Sequence, residues 1–402
     1  MPSRRPALLA LLLLGACSLS DGNELSPSPR AAQPHLPRPV SLLPLAPSRL
    51  HVDHLARKPP LAPSAPSAPS APTLAHRLKV PLAFLGWYAL SIVYSLLNKE
   101  VLTVWKFPCV FAAMQLLVGS LFVCGLWLPL PTMGMSEKRY APVRAAPRLS
   151  WAELKKLAII GFWLALGHVL STVAPAYGTV AFTNVVKTLE PFFTCLFSFL
   201  FLGQRFALPV YLSLLPVIGG VAVASANEVS FSATSLFSGL ASNVCFALRA
   251  ISAKTVMSAP IGQNLDAKNL YAVLTMLALG MIAPFALLFE GSGLISGTLD
   301  TVKNVGLGSF LRMLLYAGMS HYLYNECAFL ALSSVHPVTH AVANTIKRVA
   351  VIVVSVLYFH NPLTLTGAVG SAVAIIGVFL YSLAKVNQCD ILYLVIAPHV
   401  LG

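Results

Sequence analysis

From Val80 onward the sequence is a succession of apolar segments. Each is close to the ~20 residues that a helix needs to cross the hydrocarbon core of a bilayer. The ten predicted segments are residues 80–98, 108–130, 151–173, 179–202, 207–226, 233–253, 269–290, 308–332, 337–358 and 363–384. Within lipid every backbone polar group must be satisfied internally, which segments of this length achieve as helices. The sequence therefore predicts an all-α polytopic membrane protein with ten transmembrane helices.

Composition supports a membrane protein and argues against a nucleic-acid-binding one. Hydrophobic residues make up 57% of the 402 residues and charged residues only 10%, with a mean hydropathy of +0.77 that ordinary soluble domains do not reach. The net charge of +14 comes from basic residues that lie near the N-terminus and between apolar segments. They are not gathered on one face of a soluble domain, as they would be in a nucleic-acid-binding protein. We therefore expect membrane lipid, and no nucleic acid, as a partner.

The N-terminal region is predicted to be a targeting leader. Residues 1–20 combine Arg4 and Arg5, a short apolar run and small residues, as in a secretory signal peptide. Residues 21–79 are rich in Pro, Ala and Ser with several basic residues, and such a stretch cannot bury a core, so we expect it to be disordered. This order resembles the two-part leader of proteins sent into plastids with extra membranes. A disordered luminal tail is the alternative.

A repeated motif divides the apolar region into two halves. Asn184 to Lys187 and Asn344 to Lys347 share an Asn-x-x-Lys pattern, and the two lysines are 160 residues apart. The helices that follow agree in their small residues and in a serine at their end. We predict a first repeat at residues 80–226, a second at residues 233–384 and a C-terminal tail at residues 385–402.

Three cations are predicted near the middle of the membrane, namely Lys187, Lys347 and Arg348. Ionisable residues at such depth are costly and indicate a functional site. Glu190, one helical turn after Lys187, is the obvious carboxylate partner, but one carboxylate leaves a surplus of cations. An arginine fork with two ammonium groups suits a phosphate dianion. The alternative is a purely structural ionic network.

Other charged residues leave further alternatives open. Glu326 and Arg249 are candidates for a separate ion pair within the membrane. His340, Asn344 and Lys347 are spaced to share one helical face.

Metal chemistry and catalysis find little support in the sequence. His336 and His340 have the spacing of a helical metal pair, but there is no His-Glu-x-x-His motif. No nucleophile elbow or phosphate-binding Walker loop is present either. The seven cysteines are scattered without a Cys-x-x-Cys pair, as expected for small core residues. We expect neither an enzyme, nor a cofactor, nor a metal site.

Several motifs together resemble one transporter family. They are Leu166-Gly167-His168-Val169, Phe182-Thr183-Asn184-Val185-Val186-Lys187-Thr188-Leu189-Glu190-Pro191, Tyr322-Leu323-Tyr324-Asn325, Pro337-Val338-Thr339-His340 and Lys347-Arg348-Val349. On these residues the chain resembles the plastidic phosphate translocators, specifically the triose-phosphate/phosphate branch, over roughly residues 82–385. One departure is Asn184, where that family usually has histidine.

The resemblance implies a fold, a site and an activity. The fold would be that of the drug/metabolite transporter superfamily, with two inverted five-helix repeats. Lys187, Lys347 and Arg348 would hold the phosphate group, His168 and Tyr324 would contact the carbon end of the substrate, and Ser171 would line the same pocket. The activity would be exchange of inorganic phosphate for triose phosphate or 3-phosphoglycerate across a plastid envelope membrane, by alternating access.

Other transporter activities stay open at this point. A phosphoenolpyruvate or other sugar-phosphate exchanger differs at few positions, and His168 with Thr339-His340 favours three-carbon phosphates. A Golgi nucleotide-sugar transporter shares the fold, and an anion channel shares the cation cluster. The inner envelope membrane is the favoured location, and the leader also fits a complex plastid. The sequence makes no prediction of oligomeric state.

Overall fold

The computed structural model describes residues 74–131, 140–256, 261–334, 337–362 and 364–400. The helices in these ranges are α1 Leu74–Val104, α2 Pro108–Trp127, α3 Trp151–Tyr177, α4 Val180–Val186, α5 Glu190–Leu202, α6 Leu208–Ala226, α7 Ala233–Val256, α8 Ala267–Glu290, α9 Leu294–Val305, α10 Leu307–Ser334, α11 Pro337–Phe359 and α12 Leu365–Val400. A 3₁₀ turn, Lys187–Leu189, joins α4 to α5. Strands β1 Pro129–Pro131 and β2 Tyr140–Pro142 form a short antiparallel hairpin between α2 and α3.

The ends of the chain differ from the predicted boundaries. The signal peptide at residues 1–20 and the leader up to residue 73 lie outside the described residues. Helix α1 begins at Leu74, within the stretch predicted as leader. Helix α12 continues to Val400, so the predicted tail extends the last helix over most of its length.

The helices match the predicted membrane spans. Within the described ranges, nine helical stretches are long and apolar enough to cross a membrane. They coincide with nine of the ten predicted segments, and the fourth segment comprises α4, the 3₁₀ turn and α5 together. Helix α10 covers the remaining segment but contains the polar residues His321, Asn325 and Glu326, which lower its hydropathy. The prediction of an all-α polytopic membrane protein is confirmed.

The helix packing is consistent with two related halves. If α1, α2, α3, α4 with α5, and α6 correspond to α7, α8, α10, α11 and α12, the contacts between helices occur in matching pairs. Helix α3 packs against α7 and α10 against α1, while α2 packs against α10 and α8 against α3. Corresponding helices also meet, α2 with α8, α4 with α11 and α6 with α12. The repeat boundaries at residues 80–226 and 233–384 stay a prediction.

Helices α6 and α12 approach each other closely through glycines. A Cβ atom on Gly220 would lie 2.4 Å from the backbone nitrogen of Ala374, and one on Gly370 would lie 2.6 Å from that of Ala224. Helices in lipid associate through van der Waals packing, which small residues at the contact make possible. A larger residue at either glycine would force α6 and α12 apart.

Pro191 interrupts the fourth span near its middle. Proline has no N–H, so the carbonyl of Lys187 cannot receive a hydrogen bond from the residue four positions later. The N–H of Glu190 donates to this carbonyl instead, which produces the 3₁₀ turn. The tighter turn changes the directions in which Lys187 and Glu190 project, compared with an uninterrupted α-helix. Both side chains project into the cavity described below.

The loop between α2 and α3 is tied to the loop between α7 and α8. The N–H of Arg148 donates to the carbonyl of Gln263 at 2.9 Å, and the reverse hydrogen bond measures 3.0 Å. The Asn269 side chain, at the start of α8, donates to the carbonyl of Ala145 at 3.0 Å. These contacts bring a loop of the first predicted repeat onto the second.

Arg144 of the same loop forms an ion pair with Glu326 of α10, and both side chains are nearly buried. The sequence had left Arg249 open as the partner of Glu326. The structure assigns that role to Arg144, because the loop after the hairpin brings Arg144 against α10.

Candidate functional site

A cavity of about 340 Å³ lies between helices of both halves. This volume is at the lower end of the range for small-molecule sites. All six residues predicted to bind substrate line it: Lys187, Lys347, Arg348, His168, Tyr324 and Ser171. They come from α3, the 3₁₀ turn, α10 and α11, so the fold brings together residues far apart in the chain.

Lys187 is held by a hydroxyl group and not by a carboxylate. Its Nζ atom lies 2.5 Å from the Oγ of Ser171 on α3. The sequence suggested Glu190, one turn later, as its ion-pair partner, but the structure pairs Glu190 with Arg348. The 3₁₀ turn accounts for this difference, because it alters the relative directions of Lys187 and Glu190.

Arg348 and Glu190 connect the two halves of the molecule. The Nη2 atom of Arg348 donates to Oε2 of Glu190 at 2.7 Å. The Arg348 side chain is nearly buried, whereas the Glu190 side chain is 35% exposed because it faces the cavity. The second terminal nitrogen of Arg348, Nη1, has no hydrogen-bond partner among the described residues. Because each terminal nitrogen of arginine carries two N–H groups, Glu190 positions the guanidinium group and still leaves N–H donors for a ligand.

Lys347 lies against aromatic rings. Its Nζ atom is 4.8 Å from the ring centroid of Trp87 on α1 and 5.9 Å from that of Tyr324 on α10. Both distances are within the range of a cation–π interaction. Asn344, one turn earlier on α11, also lines the cavity. The side chain of His340 lies outside the described residues, so the predicted face of α11 is seen only in part.

Aromatic residues from the two halves meet on another wall of the cavity. The ring of His168 on α3 lies against that of His321 on α10, with 4.2 Å between centroids and 34° between the ring planes. Tyr324 lies 5.7 Å from His321 and 5.0 Å from Tyr94 of α1. His168 and Tyr324 therefore approach the cavity from helices of different predicted repeats.

Arg249 and His321 are among the lining residues that were not assigned to the site from the sequence. Arg249 of α7 lines the cavity with its guanidinium group 5.6 Å from the centroid of Phe246. His321 lies three residues before Tyr324, and this helical spacing was a signal that could have identified it. No sequence pattern connected Arg249 to the site, since α7 carries no predicted motif.

The charge of the lining favours an anion. Four cationic side chains, Lys187, Arg249, Lys347 and Arg348, face one carboxylate, Glu190, among the described residues that line the cavity. In that part of the chain, no group of three or more His, Cys, Asp or Glu residues is arranged to hold a metal ion. His336, one of the two histidines considered for a metal, lies outside the described residues. The arrangement can bind a small polyanion by charge-assisted hydrogen bonds.

Comparison with known proteins gives the family. The Triose-phosphate Transporter family matches residues 78–382, which is most of the chain. The chain belongs to this family. It is 38% identical over 303 residues to the chloroplastic triose phosphate/phosphate translocator of Flaveria trinervia, covering 75% of this chain and 70% of that protein. The family consists of transporters, so the chain is not a member of an enzyme family, as the sequence predicted.

Two further relatives have names that refer to larger sugar phosphates. The chloroplastic glucose-6-phosphate/phosphate translocator 2 of Arabidopsis thaliana is 35% identical over 312 residues, covering 77% of this chain and 76% of its own length. The chloroplastic xylulose 5-phosphate/phosphate translocator of the same plant is 36% identical over 315 residues, covering 78% and 72%. Overall identity to the three relatives is nearly equal and does not separate their substrates.

Proposed function

We propose that this protein is an antiporter that exchanges inorganic phosphate for phosphorylated three-carbon compounds across a plastid envelope membrane by alternating access. The observation that carries the proposal is the meeting of Lys187, Lys347 and Arg348 at one cavity between the two halves. A phosphate group can take two-pronged hydrogen bonds from a guanidinium group and point-charge contacts from two ammonium groups. The relatives are named as chloroplastic phosphate translocators, which supports a phosphate/sugar-phosphate exchanger.

Three-carbon substrates are the narrower part of the proposal. The cavity volume of about 340 Å³ is small, and His168 and Tyr324 form a polar wall within it. A pocket built to hydrogen-bond a substrate group discriminates against analogues that leave its polar atoms unpaired. We expect dihydroxyacetone phosphate and 3-phosphoglycerate to compete strongly with phosphate, and hexose phosphates to compete weakly.

The charges in the cavity explain why transport would be an obligatory exchange. Arg348 has Glu190 as a partner, whereas Lys187 and Lys347 have no carboxylate within ion-pair distance among the described residues. Enclosing such cations in a dry site costs several kcal/mol each. A bound phosphate group removes this cost, and a ligand shifts a conformational equilibrium by its differential affinity for the two states. Only the loaded carrier should therefore change orientation readily.

Uptake of labelled phosphate into proteoliposomes tests this mechanism. Vesicles loaded with phosphate or triose phosphate should take up label rapidly, and vesicles without internal substrate should not. Glucose 6-phosphate and xylulose 5-phosphate belong in the panel because relatives carry those names. Substantial uptake into empty vesicles would indicate a channel or uniporter and contradict the proposal.

A His168→Asn variant tests the three-carbon preference. Loss of the imidazole should weaken competition by three-carbon phosphates more than binding of phosphate itself, because phosphate keeps its cationic contacts. His360→Asn is a matched control, since His360 is exposed after α11 and has a positive φ of 51° that asparagine tolerates. Equal losses for phosphate and triose phosphate in the His168 variant would show that His168 has a structural role only.

A further inference from the structure

A second histidine lies against His168 at the cavity wall. His321 is on α10, and its ring centroid is 4.2 Å from that of His168 on α3. Each histidine keeps only 5% of its exposure, and both line the cavity. The rings of Tyr94 and Tyr324 lie 5.3 and 5.7 Å from that of His321. His321 is therefore fixed by aromatic packing at the contact between the two predicted repeats.

Both imidazole rings have a nitrogen that the protein does not satisfy. The Nε2 atom of His168 has no hydrogen-bond partner among the described residues. The Nδ1 atom of His321 has none there either. Two positive charges on adjacent rings would repel each other and Lys187, so each ring is expected to be neutral, with one N–H and one lone pair.

Such nitrogens favour a ligand that carries a neutral polar group. A buried polar atom without a partner costs free energy, which a hydrogen bond from a ligand removes. A hydroxyl group both donates and accepts, so it can pair with the unsatisfied nitrogen of a neutral imidazole in either tautomer, whereas a carbonyl oxygen can pair only with an N–H group. The histidine pair is thus suited to an uncharged oxygen and not to the phosphate group.

We propose that His321 is a specificity-determining residue, which binds the hydroxyl or carbonyl oxygen at the carbon end of the substrate together with His168. The inference rests on the proposed function and adds a residue to its site. His321 and Tyr324 share one face of α10 at i and i+3, whereas the paired cations Lys347 and Arg348 are on α11. The phosphate end and the carbon end of the substrate would then be bound by different helices.

The experiment compares two phosphate esters that differ in polar groups on the carbon chain. Dihydroxyacetone phosphate and n-propyl phosphate compete with labelled phosphate for uptake into phosphate-loaded proteoliposomes. In the wild type, triose phosphate should compete at a concentration roughly tenfold or more below that of propyl phosphate. We call the ratio of these two competing concentrations the gap between the esters. In His321→Phe, which keeps an aromatic ring against Tyr94 and His168, the gap should narrow by roughly 3- to 10-fold, the effect of one lost hydrogen bond.

Ser320→Ala provides the matched control on the same helix. Ser320 is buried, but its hydroxyl donates to the carbonyl of Ala317 within α10 and it does not line the cavity. This variant should leave the gap between the two esters unchanged. Phosphate exchange by His321→Phe should fall less than triose phosphate exchange, a difference that a general packing defect would not produce.

The outcomes separate this inference from the proposed function. A wild type that does not exchange phosphate refutes the proposed function itself. The role of His321 alone is overturned if the wild type exchanges phosphate but accepts both esters equally. It is also overturned if the gap between the esters is unchanged in His321→Phe. If His321→Phe does not accumulate in the membrane, His321→Asn is measured in the same way, and its gap should also narrow because the shorter amide cannot occupy the ring position. An unchanged gap in that variant likewise overturns the role.

Discussion

Replacing Glu190 by glutamine removes one negative charge from the cavity while keeping the shape of the side chain and an oxygen that can accept from Arg348. In the structure Glu190 is the one carboxylate among the described lining residues, and it pairs with Arg348 at 2.7 Å. The change makes the electrostatic potential in the cavity more positive. A substrate with an additional negative charge should therefore gain affinity relative to one without it.

The size of this gain follows from Coulomb's law. A carboxylate at the carbon end of a three-carbon phosphate bound by Arg348 would lie about 8 Å from Glu190, which gives roughly 2 kcal/mol per unit charge at an effective dielectric constant of about 20. The Glu190 side chain is 35% exposed, so water in the cavity screens the interaction. We therefore halve the interaction energy to about 1 kcal/mol. This corresponds to about a fivefold shift in favour of 3-phosphoglycerate over dihydroxyacetone phosphate.

Competition against labelled phosphate in proteoliposomes measures this shift. Phosphate and dihydroxyacetone phosphate carry similar charge, so the ratio of their affinities should change little in Glu190→Gln. Glu100→Gln is the matched control, because Glu100 accepts a hydrogen bond from Tyr358 and does not line the cavity. The reasoning is refuted if the preference for 3-phosphoglycerate does not rise in Glu190→Gln, or if it rises equally in Glu100→Gln.

Two further predictions concern the cations of the site and the ion pair outside it. Lys187→Ala, Lys347→Ala and Arg348→Ala should each abolish phosphate exchange in a protein that still inserts into the membrane and elutes as a single species. Arg348→Lys should exchange phosphate slowly, because an ammonium group cannot make the two-pronged contact. Near-normal exchange by two of these variants would show that the cluster is structural. Arg144→Ala should lower the midpoint of thermal unfolding in detergent, because losing one partner of a buried ion pair costs about 3–5 kcal/mol. The charge swap Arg144→Glu with Glu326→Arg should recover part of the lost stability. An unchanged midpoint in Arg144→Ala would contradict the reasoning.

Several features of the site could be predicted because they depend on short stretches of sequence. Lys187, Lys347 and Arg348 are recognisable as charges within apolar segments, and the structure places all three at one cavity. Ser171 was assigned through the family resemblance, and it lies 2.5 Å from Lys187. The role of these residues in substrate binding stays a prediction that the transport assays test.

Pairings between distant residues could not be predicted in this way. Glu190 pairs with Arg348, 158 residues away, and not with the neighbouring Lys187. The cause is local in sequence, since Pro191 forces a 3₁₀ turn, but its effect depends on how α11 is rotated against α5. Glu326 pairs with Arg144 across 182 residues, because a loop folds back over α10.

The sequence by itself determined the membrane-spanning class and the position of most spans, because hydrophobic length acts on each segment independently of its neighbours. The depth of the cations in the membrane stays a prediction from the cost of buried charge. The tertiary structure decided which side chains meet. The contact between the rings of His168 and His321 and the pairing of Arg348 with Glu190 depend on the rotation and crossing of helices from both halves. Helix packing in lipid fixes those rotations through small residues such as Gly220 and through shape, and no single segment contains that information.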